Sequence, residues 1–246
     1  VEAMLAALAL LSAHTAFVAP ITSRVQPARA MVTMETKEDL VKIAEQCNPA
    51  VKFFDPLGIT ESTILGTTEE TIGFFREAEI KHGRVAMAAF VGYIAHANAV
   101  RFPWPQWFGE DVSAINAITN PPELWDAIPI AARYQIIGLI GFLEFWREVA
   151  GTHYMRGGKP GEFPSFKSAK VPLPHPVPLD LFDPLGFSKN KSKEAKEKGL
   201  IKEINNGRLA MIGIAGFMSE AYIPGSVPAL SSIVKPYAGN IMAPFA

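Results

Sequence analysis

A single cysteine, Cys47, stands among the 246 residues, so no disulfide can close within the chain and the redox compartment is left unmarked. Neither sign of charge is in surplus: the net charge is −1, which leaves no electrostatic footprint for a nucleic-acid partner. There is no Ser/His/Asp set in a recognisable motif and no glycine-rich phosphate loop. Charged residues make up only 19% of the chain against 49% hydrophobic, with a mean hydropathy of +0.16. That balance is expected of a few membrane spans joined by polar loops.

The chain starts with Val1 rather than Met, as a processed product or a fragment does. Residues 4–20, MLAALALLSAHTAFVAP, have the length and small-residue ending of a signal-peptide core. They fall short of the roughly 20 apolar residues a membrane helix needs. Residues 1–20 are therefore read as a residual targeting segment, and residues 21–246 as a single three-helix domain.

Three helical segments are expected, at about 68–99, 129–150 and 192–222. Glu69 and Glu70 favour the N-terminus of the first, and Arg101 and Pro103 mark its end. Pro129 suits the first turn of the second, and Gly151 its C-terminal cap. Pro224 and Gly225 close the third. Phe102, Trp104, Trp107, Trp125 and Trp146 gather near helix ends, where amphipathic rings favour a membrane interface. Residues 158–178 are proline-rich and read as an ordered surface loop, and residues 226–237 as a short interfacial helix.

Two stretches raise a question that composition does not. Residues 79–93 read EIKHGRVAMAAFVGY, an apolar helix headed by Glu79, Lys81, His82 and Arg84. Residues 203–218 read EINNGRLAMIGIAGFM and align with them without a gap. The repeat reaches upstream as well, since Phe-Asp-Pro-Leu-Gly occurs at 54–58 and again at 182–186. One unit, a turn followed by a polar-headed helix, thus occurs twice. In a three-span chain the first and third spans run the same way, which relates the copies by a two-fold axis along the membrane normal. Lysines 189, 191, 193, 196, 198 and 202 precede the third span, while Arg147, Arg156 and Lys159 follow the second. Both groups then lie on one positive-inside face.

An unpaired charge in a bilayer costs a few kcal/mol even on permissive scales. The two-fold offers partners: Glu79 to Arg208 and Glu203 to Arg84. Each Arg sits five residues beyond its own Glu, but side chains lean toward the helix N-terminus, which brings it level with the other copy's Glu. Gly83, Ala86, Gly207, Ala210, Gly213 and Gly216 permit close backbone approach. Pairing leaves His82 and Asn206 unexplained, each three residues after its Glu on about the same face. Imidazole nitrogen, amide oxygen and carboxylate oxygen can each give a lone pair to a metal. A Glu already balanced by Arg keeps one oxygen free and is an effectively neutral ligand. It suits a metal neutralised by its own ring, such as the magnesium of a chlorophyll. A di-iron bundle is the competing metal reading of Glu79-x-x-His82, but it needs a second Glu-x-x-His and two further Glu helices. A plain helix clasp in a transporter or assembly factor also fits the charges, so pigment binding and transport both stand on the residues alone.

At these residues the sequence resembles the light-harvesting chlorophyll-binding family, over about residues 53–245. The resemblance rests on both Glu-x-x-[His/Asn]-Gly-Arg helices, both Phe-Asp-Pro-Leu-Gly turns and a middle helix ending Leu143-Glu144-Phe145-Trp146-Arg147. Lys81-His82-Gly83-Arg84-Val85-Ala86-Met87 and Gly141-Phe142-Leu143-Glu144 are similar to the red-lineage chlorophyll a/c branch. Phe102-Pro103-Trp104-Pro105, residues 153–158 and residues 174–179 look most like the dinoflagellate membrane peridinin–chlorophyll a–c antennae. Residues 16–20 are similar to the processing region of complex-plastid transit sequences.

The resemblance implies an all-α membrane protein with three transmembrane helices, the first and third a crossed pseudo-two-fold pair. It implies a non-enzymatic antenna that binds chlorophyll a, chlorophyll c and carotenoids, peridinin and a diadinoxanthin-type xanthophyll among them. Glu79, His82, Glu144, Glu203 and Asn206 would ligate chlorophyll magnesium, with Arg147 as the partner of Glu144. Carotenoid end groups would lie near the turns at Asp55 and Asp183. The implied partners are a photosystem core, neighbouring antenna subunits and thylakoid lipid, in the plastid thylakoid membrane. A photoprotective, energy-dissipating member of the same fold is the alternative role. Further candidate ligands are Glu220, where green members place a Gln; Gln135, one residue off the green-type Gln; and His96. His96 follows His82 by fourteen residues, nearly four turns or about 21 Å, the same step as Asn206 to Glu220. An interfacial histidine bonded to water or a loop carbonyl is the plainer reading of His96. For His14, His153 and His175 the plain structural reading is preferred.

Overall fold

The computed structural model describes residues 35–101, 106–107, 110–111, 113–166, 182–183, 185–187 and 190–239. The targeting segment with His14, Phe102 and Trp104, the loop from residue 167 with His175, and Lys189 lie outside the described residues. The elements below all belong to the unit formed by residues 32–246.

Six α-helices carry the fold among the described residues: α1 Lys37–Cys47, α2 Thr68–Ala97, α3 Ser113–Ala117, α4 Pro121–Ala127, α5 Ile130–Val149 and α6 Lys193–Tyr222. Single 3-10 turns lie at Ile59–Glu61 and Tyr154–Arg156. A two-residue antiparallel ribbon pairs β1 (Gln106–Trp107) with β2 (Glu110–Asp111), a pairing too short to alter the all-α class.

The long helices begin where side chains satisfy the first backbone N–H groups. Thr67 Oγ1 accepts from Glu70 N at 3.2 Å while Thr67 N donates to Glu70 Oε2 at 2.8 Å, a reciprocal capping box. Ser192 caps α6 by accepting from Ala195 N at 3.2 Å. Pro129 is the N-cap of α5, one position ahead of the expected first turn. Ile128 before it is extended, as a residue preceding proline tends to be, and α4 and α5 meet there at a bend of 108°. Arg133 is buried beneath the bend and donates to the Ile128 and Asp126 carbonyls at 2.9 and 2.7 Å.

The helices α2 and α6 meet in parallel, with closest approach at Gly83 and Gly207. A Cβ on Gly207 would lie 3.0 Å from the Gly83 Cα, and one on Gly83 3.1 Å from the Gly207 Cα. The offset between these glycines, 124 residues, is also the offset between Glu79 and Glu203, so the glycine contact joins equivalent positions of the two copies. A two-fold relation between the repeats requires that arrangement. Beyond the glycines, Phe217 stacks between Phe90 and Tyr93 at centroid distances of 5.1 and 4.8 Å. Such ring pairs contribute about 0.5–1.5 kcal/mol each beyond burial. Ala221, Val234 and Tyr237 complete this cluster.

Several expectations need correction. Residues 226–237 form consecutive turns rather than an interfacial helix, because Pro224, Pro228 and Pro236 interrupt backbone donation. Trp146 is fully buried rather than interfacial: it packs on Phe142 and Phe166, and its indole N–H donates to the Pro164 carbonyl at 3.3 Å. The proline-rich loop therefore sends Phe166 into the core instead of lying wholly on the surface. Gly151 follows the α5 cap, which is Ala150. Among the described residues no single helix is long and apolar enough to cross a membrane; Pro121–Ala127 with Ile130–Arg156 passes together, as a bent pair, on length and composition. The polar heads of α2 and α6 lower their apolar content, while Val85, Val91, Ile94, Leu139, Ile140, Leu209 and Ile212 stand exposed along the helices.

Candidate functional site

On either side of the glycine contact lies an ion pair. Arg208 Nε donates to Glu79 Oε1 at 2.7 Å, and Arg84 Nε donates to Glu203 Oε1 at 2.6 Å. The two pairs are not equivalent. Arg76, three residues before Glu79 and buried, bonds both the second oxygen of Glu79 and Glu35 at the head of α1. The residue matching Arg76 in the second copy is Leu200, so Glu203 has Arg84 as its cation among the described residues. Arg84 also donates to the Gly161 carbonyl at 2.7 Å, which ties the loop after α5 to the site.

His82 is exposed on α2, and its Nδ1 lies 2.7 Å from the Ala78 carbonyl. A carbonyl can only accept, so Nδ1 carries the proton and the lone pair sits on Nε2. Histidine metal ligands are commonly oriented by such a bond. One turn on, Val85 is 68% exposed, and Leu209 stands 69% exposed one turn after Asn206, itself an exposed amide. Each copy thus presents a lone-pair donor beside an uncovered apolar side chain, which fits a magnesium held in a flat apolar ring.

His96 contrasts with His82. Its Nδ1 is met by the Arg101 guanidinium, which can only donate, and Arg101 also donates to the Ile118 carbonyl at 2.5 Å. The ring's one lone pair is taken, so Nε2 carries the proton and has nothing to offer a metal. The geometry therefore favours His82 over His96 as a ligand. Glu220 is engaged too. It is 3% exposed, and its oxygens accept from Gly225 N at 2.8 Å and Val227 N at 2.7 Å. The partner missing from the sequence reading is the backbone of the turn that closes α6. Gln135 is exposed on α5.

The middle helix departs from expectation in its partners. Glu144 bonds not Arg147 but Lys81 of α2, at 2.5 Å. Arg147 instead forks onto Glu77 of α2, with both contacts at 3.2 Å, and side-chain exposures of 3% and 4% bury that pair. Glu77 also accepts from Gly161 N at 2.6 Å, and the Arg147 guanidinium lies 5.2 Å from the Tyr154 ring centroid. Both side chains reach α2, where Glu77 holds Arg147 and Lys81 holds Glu144, which is why these near neighbours do not pair. The sequence reading missed Glu35, Arg76 and Glu77, together with the role of Lys81. The spacing of Glu77 and Lys81, four apart on one helix face, was the available signal.

At the turns, Asp55 accepts from Thr60 N at 2.9 Å, Thr60 Oγ1 at 2.7 Å and Ile59 N at 3.0 Å. The Thr60 bonds, above all, hold its carboxyl below the usual carboxylate range. Both turns carry the same backbone bond, Gly58 N to Asp55 O and Gly186 N to Asp183 O, with Gly58 and Gly186 at φ 63° and 77°. Asp183 itself has a left-handed φ of 52°. A cavity of about 300 Å³ opens beside the helix contact, with Ile80, Gly83, Met87, Gly207 and Met211 in its apolar part.

Comparison with known proteins bears on this geometry. Residues 39–222 match the family described as Chlorophyll A-B binding protein. The chain is 31% identical over 233 residues to a fucoxanthin-chlorophyll a-c binding protein of Trieres chinensis, covering 91% of this chain and 97% of that one. It is 33% identical over 180 residues to light-harvesting complex stress-related protein 1 of Chlamydomonas reinhardtii, covering 71% and 62%. To the chlorophyll a-b binding protein 1B-21 of Hordeum vulgare it is 29% identical over 195 residues, covering 76% and 68%. The chain belongs to the chlorophyll a-b binding family, on its red-lineage chlorophyll a/c side, a family of light-harvesting pigment-binding proteins and not of enzymes.

Proposed function

We propose that the chain is a thylakoid antenna that crosses the membrane through α2, α5 and α6 and holds chlorophylls at Glu79, His82, Glu203, Asn206 and Glu144. The carrying observation is the doubled clasp, in which each glutamate is neutralised by an arginine of the other copy, at 2.7 and 2.6 Å. At 1.5 Å per residue the helices of 30, 20 and 30 residues are about 45, 30 and 45 Å long, against a hydrocarbon core of about 30 Å. Neutralisation of the charged heads is what makes such helices tolerable in lipid. Gln135, exposed on α5, stays a weaker candidate ligand.

Bound chlorophyll supplies the photophysics: absorption, and passage of an excited state to the next ring. The chain's own residues hold lone pairs at fixed places, balance their charge and keep water away. Carotenoids fit the apolar flanks of the α2–α6 pair, with end groups toward the Asp55 and Asp183 turns. The a/c relatives support chlorophyll a with chlorophyll c. The sequence features shared with dinoflagellate antennae support peridinin and a diadinoxanthin-type xanthophyll. Excitation passes to a photosystem core and to neighbouring antennae in thylakoid lipid.

The test is refolding of the full chain with a plastid pigment extract. Glu203→Leu, His82→Leu and Asn206→Leu should each lose chlorophyll relative to the unaltered chain. Full pigment content in all three would remove the ligand assignment. The similarity to a stress-related protein favours one second reading, a dissipating role. The fluorescence lifetime of the isolated pigmented protein separates the two, because a dissipator stays quenched on its own.

A further inference from the structure

The helices α2 and α5 are joined by two charge pairs of opposite sense. The first contributes Glu77 and Lys81, one turn apart; the second contributes Arg147 and Glu144, also one turn apart. Glu77 and Arg147 form the inner pair, buried and forked. Lys81 and Glu144 form the outer pair, with Lys81 Nζ 2.5 Å from Glu144 Oε2. The other carboxylates near Lys81 have partners of their own. Glu77, at 3.8 Å, is held by Arg147 and Gly161 N. Glu148, at 4.0 Å, accepts from His153 at 2.6 Å and from the Tyr154 hydroxyl at 3.3 Å. Lys81 is thus committed chiefly to Glu144, whose side chain is 56% exposed and whose second oxygen has no donor among the described residues.

This repeats the logic of the Glu203–Arg84 half of the α2–α6 clasp with a different cation: one carboxylate oxygen held by a positive group of another helix, the other presented outward. We infer that Lys81 is the counter-charge that makes Glu144 a usable magnesium ligand, which sets the charge balance of the middle-helix chlorophyll from α2 rather than from α5 itself. The inference rests on the reading of Glu144 as a ligand. Its physical content is that an ionised carboxylate in lipid binds a neutral chlorophyll poorly unless its charge is balanced. Arg147 cannot supply that balance, because Glu77 holds it in a buried pair. Lys81 is therefore a positioning and charge-balancing residue, not itself a ligand.

The experiment refolds the full chain with chlorophylls and carotenoids and compares five variants. The readouts are chlorophyll per polypeptide and the red-band absorption difference from the unaltered protein. Glu144→Leu should lose one chlorophyll; if it keeps the full complement, Glu144 is not a ligand and the inference falls with that reading. Lys81→Met should lose the same chlorophyll, with a difference spectrum that superimposes on that of Glu144→Leu. Lys81→Arg should retain it. The deciding variants are Glu144→Gln and Lys81→Met/Glu144→Gln, because an amide oxygen can ligate without a counter-charge. Both should hold the chlorophyll. A doubly substituted protein as depleted as Lys81→Met would show that Lys81 only docks the helix, and would overturn the inference. So would a Lys81→Met protein with full pigment content beside a depleted Glu144→Leu. The Glu77–Arg147 pair is untouched in all five, and should α5 docking nevertheless fail in Lys81→Met, the double variant and Lys81→Arg still decide the question.

Discussion

Replacing Arg84 with leucine takes from Glu203 its one cation among the described residues, whereas replacing Arg208 leaves Glu79 still bonded to Arg76. The repeats are symmetric in sequence at these arginines, so unequal damage is not what the motif alone suggests. An uncompensated charge at the middle of a span costs about 2.5–3.5 kcal/mol on permissive scales. Losing Arg208, the solvated one of Glu79's two cations, while the buried Arg76 stays in place costs about 0–1 kcal/mol. Arg84→Leu also forfeits the bond to the Gly161 carbonyl, which at 2.7 Å is worth about 1 kcal/mol. The expected gap is at least about 2 kcal/mol, roughly 30-fold in the folding equilibrium. For a chain of this size it appears as about 4–8 °C in the thermal midpoint. The assay is thermal loss of pigment-induced circular dichroism in protein refolded with pigments. Arg84→Leu should melt well below Arg208→Leu, and Arg76→Leu/Arg208→Leu should fall at least as low as Arg84→Leu. Equal midpoints for the two single variants, or the reverse order, would refute the reasoning.

His82→Leu should cost a bound chlorophyll while His96→Leu keeps every one, read as chlorophyll per polypeptide, because only His82 has a lone pair free. Gly207→Ala forces a Cβ to within 3.0 Å of the Gly83 backbone, which cannot swing aside. A loss of about 1–3 kcal/mol is expected from such overpacking, measured by the same melting assay. The hydroxyl of Tyr237 donates to Asp126, and that bond pushes its pKa up to about 12. The folded value lies above the unfolded value of about 10, so this stabilisation is whole below pH 10 and is lost as pH rises through the folded value. The urea midpoint of the unaltered chain should therefore decline between about pH 10 and about pH 12, and Tyr237→Phe should flatten that decline. Asp55 has a depressed pKa, so its hold on the Ile59–Glu61 turn should persist above the ordinary carboxylate range and fade only as pH falls through its lowered value. Asp55→Asn should remove that acid step in the same measurement.

The α2–α6 clasp was legible because two constraints meet in the sequence. A charge on an apolar helix needs a partner, and an ungapped repeat names which residue that partner is. The cross-pairs of Glu79, Arg84, Glu203 and Arg208 follow from spacing alone. The partner of Glu144 was not legible, since Arg147 sits at helical spacing on the same helix and nothing local reveals that Glu77 takes it. Glu220 was opaque for another reason: its partners are backbone N–H groups of a turn, which no side-chain pattern announces. The fate of His96 depended on Arg101, a residue just past the helix end that the sequence offered only as a terminator. The N-terminal helix α1 was missed although Thr36 and Asp39 spell a capping box, and with it went Glu35 and the second cation on Glu79. Prolines 224, 228 and 236 were visible, and they outweigh the apolar pattern that suggested a helix over 226–237.

The central claim is that paired charges on these helices exist to hold pigment. The most direct measurement is pigment extraction and chromatography on the gently solubilised protein, together with its fluorescence excitation spectrum. Chlorophyll a with chlorophyll c and a carotenoid, all sensitising chlorophyll a emission, is the predicted result. Peridinin as that carotenoid would support the dinoflagellate-like assignment, and a different one would overturn only that detail. A protein without bound chlorophyll would contradict the account, leaving Glu79, Arg208, Glu203 and Arg84 as a helix clasp and nothing more.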